Sequence, residues 1–266
     1  MTGSSRSIGA AIARRLAEDG AAVVINYVTT ADVAQELADE INAAGRGSAI
    51  TIHADMSSVA EGSRLVEETV RRLGKLDILV LNAGFAEGQT LVNLTEEMFD
   101  KQFLINVKVP LFMTQEAAKY LPSGAYSATF RSGTSLKCYQ TTGGRVILLS
   151  SAMTLFSGVP PTALVYAATK GAVEQIVRVL AKDLGAKGMT VNAVAPGATD
   201  TPLFRKGRTQ TDVDALAQLY PLKRIGQTDE IAPIVAFLGR EEAGWINGQT
   251  IYVNGVSSSH FEVLLS

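Results

Sequence analysis

The chain has a single cysteine, Cys138, in 266 residues. That excludes an internal disulfide and is compatible with a reducing compartment. Histidine is almost as scarce: two histidines and one cysteine do not make a zinc site, so no metal residues are assigned. Neither sign of charge dominates. The 24 Lys and Arg against 26 Asp and Glu give a net of −2, which leaves no electrostatic case for nucleic acid. No apolar run approaches the roughly 20 residues of a membrane span. The first residues lack a signal-peptide pattern, so the expected location is cytoplasmic. Internal repeats and domain-splitting linkers are also missing. What is present is a globular balance, 47% hydrophobic and 19% charged, in a chain long enough to bury a large core. One domain spanning 1–266 is expected.

Short apolar strands alternate with longer helical patterns. Ala22–Asn26, Ser48–His53, Asp77–Asn82, Arg145–Ser150, Thr190–Ala195 and Thr250–Val253 read as strands. Ile8–Asp19, Ala31–Ala44, Val59–Leu73, Thr95–Leu121, Val165–Leu184 and Thr228–Leu238 read as helices. Gly20, Gly45, Gly74 and Gly185 fall just past four helix ends, where a helix-stopping glycine belongs. Near-continuous apolar strands such as Ile78–Leu81 and Val146–Leu149 suit a parallel sheet covered on both faces. The alternation predicts an α/β, Rossmann-like, doubly wound fold. Two regions depart from it. The chain opens directly on a glycine loop with no strand ahead, and 123–142 is a polar insertion without periodicity.

Three features carry chemistry. Tyr166 and Lys170 stand four apart at the head of a helical stretch, on one face. An ammonium beside a phenol favours the phenolate, so the pair is expected to lower the tyrosine pKa and act as a general acid/base. The spacing alone is also common on solvent-facing helices. Gly3 and Gly9 bracket Ser4–Ile8 and run into an apolar helix, which offers backbone N–H groups to a pyrophosphate. By itself that is an ordinary Gly-Ser turn. The strand Ala22–Asn26 runs out through Asn26-Tyr27-Val28-Thr29, with no acid to hold ribose hydroxyls, while Arg6 lies in the glycine loop. That favours NADP(H) over NAD(H).

Taken in order, Thr2-Gly3-Ser4-Ser5-Arg6-Ser7-Ile8-Gly9, Asp55, Asn82-Ala83-Gly84, Asn106, Ser150-Ser151, Tyr166 with Lys170, and Pro196-Gly197 with Thr199 and Thr201 resemble the short-chain dehydrogenase/reductase family over nearly the whole chain. The resemblance implies an oxidoreductase that moves hydride between NADP(H) and a ketone or alcohol. Tyr166 would pass the proton, Lys170 would tune it and bind the nicotinamide ribose, and Ser151 would polarise the carbonyl. Asn106 would hold a relay water. Cofactor contacts would come from Gly3, Ser5, Arg6, Ile8, Tyr27, Asp55, Met56, Asn82, Ala83 and Gly84, from Tyr166 and Lys170, and from Pro196, Gly197, Thr199 and Thr201. Leu203–Leu222 would form a mobile substrate lid. A homodimer or homotetramer is implied, built on the helices Thr95–Leu121 and Val165–Leu184. Val107, Leu111, Ala117, Val173, Ile176 and Val177 are candidates for its apolar stripe. Two other readings stand beside this one: a dinucleotide-binding scaffold without turnover, and an epimerase or dehydratase of the same fold.

The family pattern is broken in places. Ser7 stands at the middle glycine of the loop, which is tolerable with negative φ. Ser151 lies farther from Tyr166 than family members commonly place their serine; an extra residue in Met153–Pro161 would reconcile it, with Ser150 as the alternative. The first, central strand is missing. A gap is expected between Ala22–Asn26 and Asp77–Asn82, with the strand upstream of this chain unless His260–Leu265 fills the slot. Asp55 could equally cap the next helix. His53 and His260 are expected to be structural or exposed, and Trp245 to pack near the last strand.

Overall fold

The computed structural model describes residues 1–124, 143–155 and 158–256. The body of the 123–142 insertion, Cys138 and His260–Leu265 lie outside the described residues, as does part of Met153–Pro161. Elements alternate as expected: α1 (Ser7–Glu18), β1 (Ala22–Tyr27), α2 (Ala31–Ala44), β2 (Ser48–His53), α3 (Val59–Leu73) and β3 (Ile78–Leu81). Then come α4 (Glu96–Phe103), α5 (Val109–Ala117), β4 (Arg145–Leu149), α6 (Leu164–Gly185), β5 (Thr190–Pro196), α7 (Pro202–Arg205), α8 (Gln210–Gln218), α9 (Thr228–Gly239) and β6 (Thr250–Val253).

All described strand pairs are parallel, in the order β1-β2 and, separately, β3-β4-β5-β6. The expected break between β1 and β3 is therefore present. Residues Met1–Ser4 cross it at the strands' C-terminal ends. The Thr2 N–H donates to Val80 O (3.0 Å), and the Ser4 N–H to Asn26 O (3.1 Å).

Helices cover both faces, because strand side chains alternate with period two. Ile147 and Leu149 of β4 join Ile12, Ile25, Val80 and Ile231 under α1, α2 and α9. Val146 and Leu148 join Leu79, Met113, Val173 and Val177 under α3, α5 and α6. Fully burying one such side chain contributes about 1.5–3 kcal/mol, which fixes the register that places the strand ends.

Several expectations are corrected. Thr95–Leu121 is not one regular helix: a π turn, 104–108, interrupts it before Pro110. Proline has no N–H for the usual bond four residues back, and the wider turn accommodates that. Gly185 is the last helical residue of α6, and Gly188 (φ 75°) makes the turn instead. Trp245 is 89% exposed, not packed. Ala117, Val173 and Val177 are spent on the chain's own core, while Val107, Leu111 and Ile176 stay partly exposed. Among the described residues, no helix is long and apolar enough to cross a membrane.

Candidate active site

The opening loop and the ends of β1 and β3 are knotted together by side chains. Asn26 is 1% exposed. Its Oδ1 accepts from the Gly3 N–H (2.9 Å), and its Nδ2 donates to Ala54 O (2.9 Å). The Thr2 hydroxyl oxygen accepts from the N–H groups of Asn82 (3.0 Å) and Ala83 (2.9 Å), and Asn82 Nδ2 donates to Gly3 O (2.8 Å). Ser5 and Thr30 share a hydroxyl bond (2.9 Å). Gly3 is left-handed at φ 57°, and so is Ser7 at φ 55°, against the negative φ its tolerance required. A non-glycine residue held there carries about 1–3 kcal/mol of strain.

This loop fits a pyrophosphate. No side chain caps α1, and its first turn holds no acid, so its N–H groups and dipole are open to an anion. Gly9 admits no side chain: a Cβ would lie 2.3 Å from Gly3 O and 2.7 Å from Asn82 Nδ2. Arg6 is exposed at the head of α1, and Tyr27 is half-buried at the end of β1 beside His53. Ile8 packs on the core, and Met56 is buried. Asp55 accepts from Ser57 N–H (2.9 Å) and Ser57 hydroxyl (2.7 Å). The cap of α3 is Ser58, not Asp55.

Three elements bring the second cluster together. Lys170, 4% exposed on α6, donates from Nζ to Leu149 O at the end of β4 (2.7 Å). That Nζ lies 5.6 Å from the centre of the Tyr166 ring. Asn106 sits in the π turn. Its Oδ1 accepts from Phe85 N–H (2.8 Å), and its Nδ2 donates to Phe85 O (2.8 Å) and the Thr169 hydroxyl oxygen (3.1 Å). Asn106 and Lys170 converge on Gly84: a Cβ there would lie 3.6 Å from Asn106 Oδ1 and 3.7 Å from Lys170 Nζ.

Electrostatics reverse one expectation. Burial pushes the half-buried Tyr166 phenol up to about 12, and a bond from Ser151 only partly opposes this. The lowering anticipated from Lys170 does not prevail over this burial. Burial lowers the Lys170 ammonium to about 8. The two serines have separate duties. Ser151 faces Tyr166 and accepts from the Met153 N–H (3.3 Å). Ser150 donates its hydroxyl to Glu174 (2.8 Å).

The remaining expected residues flank this cluster. The Gly197 N–H donates to Val253 O (3.0 Å) just past β5 and Pro196. The Thr199 hydroxyl donates to Gly197 O (3.0 Å), and Thr201 caps α7 by accepting from Phe204 N–H (3.1 Å). Within Leu203–Leu222, Val213 and Ala217 pack on Ile225 and Phe204, while Leu203, Leu219 and Leu222 are exposed. Sequence reasoning named Thr2 and Asn26 within its motifs but gave them no role, and it missed Thr169 and Glu174. Only Asn26, a polar residue closing an apolar strand, left a signal.

A glycine loop open to an anion on a parallel sheet, with Lys170 and Tyr166 beside it at the strand ends, is the arrangement of a dinucleotide-binding fold. A family model described as Enoyl-(Acyl carrier protein) reductase matches residues 3–255. The chain is 37% identical over 268 residues to a probable tetrahydroxynaphthalene reductase of Zymoseptoria tritici, covering 97% of this chain and 92% of that protein. It is 38% identical over 266 residues to versicolorin reductase 1 of Aspergillus parasiticus, covering 96% and 94%. A short-chain dehydrogenase from Burkholderia cenocepacia, solved with NADP, superposes with a TM-score of 0.82 at 34% identity, covering 95% of this chain and 94% of that one. The chain belongs to the short-chain dehydrogenase/reductase family.

Proposed function

We propose that this protein is an NADP(H)-dependent carbonyl reductase acting on a small-molecule ketone, with the alcohol oxidation as its reverse. The observation that carries the reading is the convergence of Ser151, Tyr166, Lys170 and Asn106 on the adjacent ends of β3 and β4, beside the loop closed at Gly9. Bound NADPH supplies hydride to the carbonyl carbon. The Gly3–Gly9 loop and α1 hold its pyrophosphate, and Arg6 and Tyr27 favour its extra phosphate where an acid would repel it. Asp55, Met56 and Asn82–Gly84 flank the adenosine, and Pro196, Gly197, Thr199 and Thr201 the nicotinamide. The names of the reductase relatives and the NADP in the Burkholderia structure support both parts.

The acid/base work falls to this chain's residues. Ser151 and Tyr166 both donate to the carbonyl oxygen, which gains negative charge as hydride arrives. A phenol held near 12 keeps its proton at neutral pH and is ready to give it to the alkoxide. Lys170 places positive charge beside the phenolate left behind and binds the ribose; Asn106 holds the relay water that returns the proton. The test is NADPH absorbance across a panel of ketones and aldehydes. Carbonyl-dependent oxidation of NADPH supports the reading, and NADPH binding without turnover supports a scaffold. A cytoplasmic homodimer or homotetramer completes the proposal, with the partly exposed Val107, Leu111 and Ile176 on its interface. Light scattering that gives a monomer at micromolar concentration would remove that part alone.

A further inference from the structure

Glu174 lies on α6 one turn beyond Lys170, in none of the roles above. Its carboxylate gathers three hydroxyls from three different elements. Oε1 accepts from Ser150 at the end of β4 (2.8 Å) and from Thr154 (2.6 Å). Oε2 accepts from Tyr252 of β6 (3.3 Å), whose hydroxyl is also 3.3 Å from that of Thr154. Ser150 and Thr154 bracket Ser151 in the chain. The Thr154 N–H donates to Ser151 O (3.2 Å), and the Thr154 hydroxyl, whose one proton goes to Glu174, lies 2.9 Å from the same carbonyl as an alternative acceptor. The Ser150 N–H donates to Val194 O (2.8 Å), anchoring the near side of the segment to β5. Ser151 is thus held from both sides, and both holds end on one carboxylate that rides on the same helix as Tyr166 and Lys170.

The geometry points to Glu174 as the positioning residue that fixes the Ser151 hydroxyl against Tyr166, acting through Ser150 and Thr154. This rests on the reductase reading above. A carboxylate suits the task because it accepts from all three hydroxyls and asks none of them to accept in return. Charge-assisted bonds of this kind are short and directional, so they tie the short helical turn 152–154 to α6 without contributing an atom to the substrate. The strand-end serine and the helical tyrosine belong to elements joined by a loop, and loops alone hold geometry loosely.

The experiment is a double-substitution cycle on ketone reduction, combined with amide exchange. Glu174→Ala should lower kcat roughly 10- to 100-fold, as a misplaced polarising group does, with the KM for NADPH moving less than about twofold. Glu174→Gln should recover most of it, since its Oε1 still accepts from Ser150 and Thr154 and its Nε2 donates to Tyr252. In a Ser151→Ala background, Glu174→Ala should add less than about twofold, because its effect passes through that hydroxyl. Exchange of the Met153 amide, which donates to Ser151 Oγ (3.3 Å), should accelerate about tenfold in Glu174→Ala. Should that variant not fold, Thr154→Val breaks the same hold and takes its place in both arms. An equal loss of kcat in the two backgrounds, or an unchanged Met153 amide, overturns the proposal. A wild-type protein that turns over no carbonyl overturns the reductase reading instead, and the amide exchange still decides the role of Glu174.

Discussion

Gly9→Ala sets local propensity against packing, and the two predict opposite signs. Gly9 is in the first turn of α1 with an ordinary helical backbone, so alanine alone would gain about 1 kcal/mol of helix propensity. The surroundings forbid it. The added Cβ would lie 2.3 Å from Gly3 O, 2.7 Å from Asn82 Nδ2 and 2.8 Å from Ser4 Cα. Carbon atoms pack comfortably at about 3.5–4.0 Å, so residues 3 and 4 must retreat by close to an ångström. Two of the three obstacles are backbone and cannot rotate away. Overpacking of this kind costs about 1–3 kcal/mol. The retreat also breaks Asn82 Nδ2 to Gly3 O (2.8 Å) and weakens Asn82 Nδ2 to Thr2 O (3.2 Å), each bond contributing about 1 kcal/mol. After subtracting the propensity gain, the net loss is about 2 kcal/mol. Urea unfolding should show a lower midpoint at unchanged slope. NADPH titration by fluorescence should show at least about tenfold weaker binding, because the same N–H groups are displaced. A midpoint equal to or above wild type, with normal NADPH affinity, would refute the picture of a loop closed on Gly9.

Ser7→Gly should act the other way. Removing about 1–3 kcal/mol of left-handed strain outweighs the roughly 0.5–1 kcal/mol that glycine loses in backbone entropy, so the urea midpoint should rise. Alkaline stability should separate Lys170 from the other lysines. Its folded pKa is near 8 against an ordinary 10.5, so between those values the unfolded chain binds the extra proton and stability rises with pH. Relative to Lys170→Met, wild type should therefore gain on going from about pH 8 to pH 10, by at most about 3 kcal/mol. Tyr166 has the opposite sign: its folded pKa near 12 against 10.0 makes the folded state hold the proton longer, so stability falls between pH 10 and 12, and Tyr166→Phe should remove that fall.

Much of the frame was legible because its signals are local. Ala31–Ala44 and Val59–Leu73 end at left-handed Gly45 and Gly74, as the sequence predicts. The apolar runs Val146–Leu149 and Ile78–Leu81 became strands covered on both faces. The break between β1 and β3 matches the gap expected between Ala22–Asn26 and Asp77–Asn82. What escaped depends on distant partners. Glu174 reads as one more helical charge until Ser150, Thr154 and Tyr252 are folded around it. The Tyr166 pKa needed a burial that spacing from Lys170 does not reveal. Trp245 looked like core by residue type, yet the turn before β6 leaves it in solvent. The π turn around Asn106 precedes Pro110, but its packing against α6 appears only in the fold.

The most direct test of the account follows one deuterium. Wild type and Tyr166→Phe are each given NADPH labelled stereospecifically at nicotinamide C4, with a ketone selected from the panel, and the products are read by mass spectrometry. The account predicts that the label from one C4 face appears on the alcohol carbon with wild type. With Tyr166→Phe, NADPH should bind normally while turnover falls about 10²–10⁴-fold, the usual contribution of a general acid. Product that carries no label from either C4 face, or a Tyr166→Phe variant that turns over at the wild-type rate, would contradict the account at its centre.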